Sequence, residues 1–193
     1  MFGGFILNKP AITNDEILNI SKKHILENGF SSFNVRAITK ECGISIGTLY
    51  NYFSSKNDLL IATVESIWEE IFQPLSNLND FDRFVDVVEC MYQNIEEGNH
   101  KYSGFFSLHN LNFAAAGKKE GVNTMNNYFS ILKSDLLFVL KRDQQVNRNM
   151  FSPEFSEETY VDYIFGLLIS SLLKKEDSSK LLHFISNYLY SSH

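Results

Sequence analysis

Residues 45–60 read SIGTLYNYFSSKNDLL, an unusual concentration of small, hydroxylated and aromatic side chains. Hydroxyls and phenols can donate hydrogen bonds to phosphate oxygens, the amide of Asn51 can pair with adenine, and Ile46 can contact a thymine methyl group. Gly47 weakens a helix by about 1 kcal/mol relative to alanine, but it lets the backbone come close to another surface. These residue types are poor material for a core helix, and they predict a surface that lies against double-stranded DNA.

Two basic residues extend this predicted surface. Lys56 stands at the beginning of a helix, where free peptide amides and a positive charge suit a phosphate group. Arg36 stands at the beginning of an earlier helix, and both side chains could equally be ordinary solvated residues. The DNA-binding residues predicted from the sequence are Arg36, Ser45, Ile46, Gly47, Thr48, Tyr50, Asn51, Tyr52 and Lys56.

Capping signals predict the helices that hold this surface. Asn34 begins a short helix, VRAITKEC, and Gly43 ends it. Ser45 caps the next helix after a gap of only about three residues, and this order is typical of a helix-turn-helix. Before them, a capping box of Thr13 and Glu16 begins the first helix, about 13–28, which Gly29 ends in the left-handed conformation.

The rest of the chain follows the helical period of 3.6 residues, without strand-like alternation. Ser54 or Ser55 begins a fourth helix that runs to Pro74. The sequence predicts an all-α fold, with an N-terminal three-helix helix-turn-helix DNA-binding domain (1–55) and a C-terminal bundle of longer helices (56–193). The further predicted helices cover about 80–96, 101–115, 118–146, 156–173 and 177–190.

The charge distribution and the apolar segments indicate where the protein binds DNA and in which compartment it is expected. The net charge is −6, yet residues 1–60 hold six basic and five acidic side chains, so any contact with phosphate belongs to the N-terminal part. The start of the chain lacks a secretory pattern and no apolar run could span a membrane, so we expect a cytoplasmic protein without a membrane partner.

Motifs of catalysis and metal binding are missing from the sequence. There is no phosphate-binding glycine loop, GxSxG or HExxH, so we expect no enzyme activity, cofactor or metal site. Cys42 and Cys90 do not form a CxxC pair. We expect both to be buried and to pack as small hydrophobic residues, with a reactive or redox-sensing thiol as the alternative.

The segment 29–60, GFSSFNVRAITKECGISIGTLYNYFSSKNDLL, resembles the DNA-binding segment of the TetR family of bacterial transcriptional regulators. The resemblance implies a nine-helix homodimer, with three helices for DNA binding, and it implies that the C-terminal helical bundle (56–193) is a regulatory and dimerisation domain that binds a small ligand. It also implies a four-helix dimer interface made by the last two long helices of each subunit. Ser21, His24 and Ile25 depart from the usual family residues, which alters packing of the first helix and not the DNA face.

Two further sets of residues are predicted in the C-terminal part. A phenylalanine-rich segment around His109 predicts the lining of an apolar cavity, although plain core or surface positions remain the alternative. Gly166 would permit close approach across a dimer axis or, equally, within one subunit. The predicted ligand-binding residues are Tyr102, Phe105, Phe106, His109, Phe113 and Tyr128, and the predicted dimerisation residues are Tyr160, Tyr163, Gly166, Leu167, Ser170, Phe184 and Tyr188.

The sequence therefore predicts a TetR-like transcriptional regulator, a repressor released from its DNA operator by a small apolar or amphipathic ligand. Two recognition helices would enter successive major grooves about 34–36 Å apart, and the ligand would change that separation. A TetR-like adaptor or coactivator, whose C-terminal domain binds a protein partner, is the alternative.

Overall fold

The computed structural model describes residues 12–75, 77–102 and 119–190, which form helices joined by short turns. Within these ranges, only an isolated bridge between Ser152 and Phe155 has β character. The all-α fold is therefore confirmed. The chain divides into two compact units, Met1–Ser66 and Ile67–His193, and the boundary falls inside one helix.

The N-terminal unit contains the predicted short helices. They are α1 (Asn14–Asn28), α2 (Val35–Cys42), α3 (Ile46–Tyr50) and the first part of α4 (Lys56–Phe72). The capping box is present, because Thr13 N donates to Glu16 Oε2 at 2.8 Å and Glu16 N donates to Thr13 Oγ1 at 3.2 Å. Gly29 ends α1 with the expected positive φ of 76°, but its ψ of 165° differs from the left-handed helical value.

The core of this unit forms where the apolar faces of its helices meet. Ile17 and Ile25 of α1 lie against α2, where Ile38 is fully buried. Leu49 is the buried residue of α3. Burying these aliphatic side chains stabilises three helices that are too short to persist alone.

The second unit is a bundle of longer helices. They are α5 (Phe84–Lys101), α6 (Lys119–Arg142), α7 (Glu157–Lys174) and α8 (Ser179–Tyr190), with short 3-10 turns at Gln73–Leu75, Leu78–Asp80 and Arg148–Met150. Helix α5 packs against α6, α7 and α8, so it lies at the centre of the bundle. Ser156 caps α7 as predicted, since Thr159 N donates to its hydroxyl at 3.2 Å.

Helix α5 differs from its prediction at both ends. It begins at Phe84 instead of residue 80, and it continues to Lys101, five residues beyond the predicted end at about residue 96. A side chain at Gly98 would approach two atoms of Ile71 to 2.6 Å, so the glycine permits a close contact between α4 and α5. Beyond Tyr102, the helix predicted at about 101–115 lies outside the described residues.

An aromatic cluster surrounds the buried indole of Trp68, the single tryptophan of the chain. Phe72 stacks on it at 5.4 Å between ring centroids and Tyr128 stacks at 6.1 Å, while Phe129 meets it edge-on at 6.0 Å. Such aromatic pairs add about 0.5–1.5 kcal/mol each beyond the burial of apolar area. The cluster ties α4 to α6 within the second unit.

Two further expectations concern membranes and thiols. No helix among the described residues is long and apolar enough to cross a membrane. Cys42 and Cys90 are half-buried and form no disulfide. Burial raises the pKa of each thiol, which favours the unreactive protonated form.

Candidate nucleic-acid interface

Local capping builds the turn between α2 and α3. Asn34 Oδ1 accepts hydrogen bonds from the amides of Arg36 at 2.9 Å and Ala37 at 3.4 Å, which fixes the start of α2. Gly43 ends α2 in the left-handed conformation, with φ 68° and ψ 30°. Ile44 N then donates to Thr39 O at 3.0 Å. A turn of only three residues therefore joins α2 to α3, as the predicted helix-turn-helix requires.

Helix α3 has one buried side and one exposed side. Leu49 is fully buried, whereas 43% of Tyr50 and 38% of Ile46 remain exposed, together with Asn51. A side chain at Gly47 would meet only the Ser45 hydroxyl at 3.7 Å, an ordinary contact distance. Packing within the protein therefore does not require glycine at position 47, and the position is open to another surface.

The hydroxyls of Ser45 and Thr48 already take part in hydrogen bonds at the start of α3. Ser45 Oγ accepts from Thr48 N at 3.0 Å, and the two hydroxyl oxygens lie 2.8 Å apart. Because one hydroxyl must donate to the other, a single hydroxyl hydrogen of the pair remains for an outside acceptor. The two residues are thus one potential donor and not two.

Tyr52 differs from the other residues predicted for this surface. Its ring is half-buried, and its hydroxyl donates to the carbonyl oxygen of Ile12 at 2.7 Å. This bond uses the only hydrogen that the phenol can donate, so Tyr52 does not offer a donor to phosphate in this conformation. Instead it connects the residue that precedes α1 to the end of α3.

The beginning of α4 supplies a further part of the surface. Asp58 N donates to Ser55 Oγ at 3.1 Å, so Ser55 is the capping residue of the two candidates. Lys56, the first residue of α4, is exposed, as is Arg36 in the first turn of α2. Neither cation forms an ion pair within the described ranges.

Lys40 belongs to the same surface although the sequence analysis did not include it. It is exposed and unpaired among the described residues, and it lies four residues after Arg36 in α2. Residues at this spacing share one side of a helix. That spacing was the sequence signal that could have identified Lys40.

Residues 17–63 match the family model of bacterial regulatory proteins, tetR family. This match places the N-terminal segment of the chain in the TetR family. The matched residues run from α1 into α4, so they include the whole exposed surface of α2 and α3. This surface is the candidate nucleic-acid interface of the chain.

Some known proteins are similar to part of the chain in sequence, and others share its fold. The HTH-type transcriptional regulator UidR of Escherichia coli K12 is 35% identical over 80 residues, which cover 39% of this chain and 41% of UidR. The chain therefore matches less than half the length of this curated relative.

Two solved structures share the fold over almost the whole chain. A transcriptional regulator from Rhodococcus sp. Rha1 superposes with a TM-score of 0.68 at 13% identity, covering 94% of this chain and all of that protein. BioQ, crystallised with its double-stranded DNA operator, superposes with a TM-score of 0.61 at 11% identity, covering 92% of this chain and 98% of BioQ.

The residues predicted to bind a ligand are only partly described. Tyr102 is buried, and its hydroxyl donates to Glu70 with both carboxylate oxygens at 3.1 Å. Tyr128 stacks on Trp68 as part of the aromatic cluster. Four predicted residues, Phe105, Phe106, His109 and Phe113, lie outside the described residues. No group of metal-binding side chains occurs in the described parts of the chain.

The residues predicted for dimerisation fall into two groups. Tyr160 is not a surface residue, because only 2% of it is exposed and it packs against Phe84, Phe151, Phe155 and Tyr188. Tyr160 therefore belongs to the aromatic core of the second unit, and its place in the dimer contact stays a prediction.

The other predicted dimerisation residues lie on or near the surface. The exposed residues are Tyr163, Gly166, Leu167 and Phe184, and the half-buried ones are Ser170 and Tyr188. The hydroxyl of Tyr188 donates to Met150 O at 3.2 Å. A side chain at Gly166 would meet no atom within 4 Å, so close packing inside the subunit does not explain this glycine.

Proposed function

We propose that this protein is a homodimeric transcriptional regulator of the TetR family that binds a double-stranded DNA operator through α2, α3 and the start of α4. The observation that carries the proposal is the exposed side of α3, formed by Ile46, Gly47, Tyr50 and Asn51. The flanking helices α2 and α4 add three exposed cations that form no ion pair among the described residues. The fold shared with BioQ, which was crystallised on its operator, supports the same assignment.

Each part of the surface suits a different component of DNA. Arg36, Lys40 and Lys56 are placed to neutralise phosphates, which supplies affinity without sequence preference. Asn51 presents an amide that can pair with adenine, and Ile46 presents an apolar side chain for a thymine methyl. The open position at Gly47 allows the backbone of α3 to approach the groove.

Selection of bound duplexes from a random-sequence DNA library tests this proposal directly. With the selected duplex, Tyr50→Ala should weaken binding about tenfold or more, whereas Tyr50→Phe separates loss of the hydroxyl from loss of the ring. Lys56→Ala should reduce the slope of log affinity against log salt by about 1. Lys141→Ala, which removes the same charge from the second unit, is the matched control.

Selection that yields no enriched sequence would contradict the proposal. So would unchanged affinity in both the Tyr50→Ala and Lys56→Ala variants, provided that circular dichroism shows intact helices. Retained binding by Lys141→Ala is required for the comparison to hold.

The second copy of the chain is proposed to bind along α7 and α8. The exposed apolar side chains of Tyr163, Leu167 and Phe184 border a groove of about 430 Å³, which Gly166 leaves open. Covering such a surface with an identical one removes apolar area from water in both subunits.

Light scattering during size-exclusion chromatography measures the mass of the particle and tests the dimer. Leu167→Glu should give a monomer, because it places a charge in the centre of the proposed contact. The control Ile131→Glu adds the same charge at a side chain of similar exposure on α6, 56% against 45% for Leu167, and should stay dimeric. Two monomeric variants, or two dimeric ones, would contradict the assignment to α7 and α8.

We further propose that the protein is a repressor released by a small apolar or amphipathic ligand in the second unit. The aromatic cluster around Trp68 supports this part, because rigid aromatic rings are typical lining of such sites. A reporter gene placed behind the selected operator should be silenced by the protein. Native mass spectrometry of the purified protein should detect a bound small molecule, and an activated reporter would contradict repression.

A further inference from the structure

One negative charge stands within the helix-turn-helix formed by α2 and α3. Between Asn34 and Asn57 the chain contains a single acidic residue, Glu41, among the cations Arg36, Lys40 and Lys56. Glu41 lies in the last turn of α2, directly after Lys40, and its side chain is 38% exposed. An unpaired carboxylate at this position would repel the phosphates that the neighbouring cations attract.

Lys23 of α1 reaches across to this carboxylate. Its Nζ lies 2.5 Å from Glu41 Oε1, whereas Glu27 Oε1 on its own helix is farther away, at 3.9 Å. With 100° of rotation per residue, Arg36 and Lys40 lie on one side of the exposed strip of α2, and Glu41 lies on the side next to α1. The ion pair therefore holds the carboxylate away from the two cations.

We propose that Lys23 is a positioning residue for DNA binding, which acts through Glu41 without contacting DNA itself. By pairing with Glu41, it neutralises the one acidic group of α2 and keeps it at the α1 side. The phosphates then meet a side of α2 on which Arg36 and Lys40 are the charged groups without an ion pair among the described residues. This inference rests on the DNA-binding function proposed above and adds a residue that determines its strength.

A purely structural role for the pair is a weak alternative. Lys23 is 55% exposed, and ion pairs between such exposed side chains contribute little to folding because water and salt screen them. Loss of Lys23 should therefore change DNA affinity while leaving thermal unfolding nearly unchanged. This difference separates an electrostatic effect on DNA from a general loss of structure.

A double-mutant cycle on the full-length protein tests the inference. Affinities for the selected duplex and for an unrelated duplex are measured at several salt concentrations for the wild type, Lys23→Gln, Glu41→Gln and the double variant. Lys23→Gln should weaken binding to both duplexes by about threefold or more at low salt. Glu41→Gln should bind at least as tightly as the wild type, and the double variant should behave as Glu41→Gln does.

The second acidic neighbour of Lys23 supplies the control. Glu27→Gln removes a carboxylate that also lies near Lys23 but outside the helix-turn-helix, so Lys23→Gln should still weaken binding in that background. Equal weakening by Lys23→Gln with and without Glu41 would overturn the inference, as would no weakening at all. Either result would leave the proposed DNA-binding function intact, provided that the wild type binds the selected duplex. A wild type that binds no duplex would contradict both the proposed function and the role of Lys23.

Discussion

The hydroxyl of Tyr190, in the last turn of α8, donates a hydrogen bond of 2.7 Å to the fully buried carboxylate of Asp143. The same carboxylate accepts from Phe84 N at 2.8 Å, and the Tyr190 oxygen accepts from Val85 N at 3.3 Å. Arg83, at the capping position of α5, makes no side-chain capping bond. Two residues from distant parts of the chain therefore cap the central helix of the bundle.

Tyr190→Phe should lower the free energy of unfolding by about 1–3 kcal/mol, because it leaves the buried carboxylate and the Val85 amide each short of a partner. Urea unfolding followed by circular dichroism, at a fixed protein concentration, measures the change. Tyr163→Phe removes an exposed phenol oxygen from the same unit and should have little effect. Equal stability of the two variants would show that the cap contributes nothing.

Removal of the Tyr52 hydroxyl separates positioning from direct DNA contact. Tyr52→Phe leaves the Ile12 carbonyl without its partner, so we expect a loss of about 0.5–1.5 kcal/mol in the stability of the N-terminal unit. DNA affinity should fall only as far as that loss disturbs α3. A variant of wild-type stability that no longer binds the selected duplex would assign Tyr52 a direct contact instead.

Gly98→Ala should destabilise the second unit although alanine is the better helix former. The new methyl group would lie 2.6 Å from two side-chain atoms of Ile71, and such overpacking costs about 1–3 kcal/mol. The gain in helix propensity, about 1 kcal/mol, does not offset it. In an Ile71→Val background the alanine should cost less, and thermal unfolding of the four proteins measures this coupling. An identical cost in both backgrounds would contradict the close contact.

The ion pair of Lys141 and Glu158, 2.8 Å apart, should make the free energy of unfolding depend on pH in the acidic range. The hydrogen bond from Lys141, together with bonds from the start of α7, lowers the pKa of Glu158 from 4.5 to about 2. Because the folded pKa lies below the unfolded one, this contribution is complete above pH 4.5 and disappears as the pH falls to about 2. Glu158→Gln and Lys141→Gln should each lose less stability over this range than the wild type. Parallel acid profiles for all three proteins would contradict the shift.

Capping residues could be predicted from the sequence because their partners lie two or three residues away. Asn34, Ser45 and Ser156 each accept a hydrogen bond from an amide within the next helical turn. A bond of this kind depends on local sequence alone, so the starts of these three helices were predicted closely, whereas α5, which has no side-chain cap of its own, was not. The exposed side of α3 followed for the same reason, since Ser45 fixes which residues turn outward.

Long-range contacts could not be predicted from local sequence patterns. The hydroxyl of Tyr52 binds Ile12, forty residues earlier in the chain, and no local pattern indicates that bond. Tyr160 and Tyr163 lie three residues apart on α7, yet the first is buried and the second is exposed. Helix α5 continues past its predicted end and through Gly98, whose close contact with Ile71 of a different helix has no local signal.

The placement of Trp68 gives this protein a built-in optical reporter. No other indole exists in the chain, and this one belongs to the unit that begins at Ile67. Excited at a wavelength that tyrosine does not absorb, its emission therefore reports on the surroundings of Trp68 within the bundle, without a signal from Tyr50 and Tyr52 of the N-terminal unit. Comparison of emission with circular dichroism can show whether the two halves melt together, and quenching of the buried ring can detect a molecule that enters between its stacked neighbours.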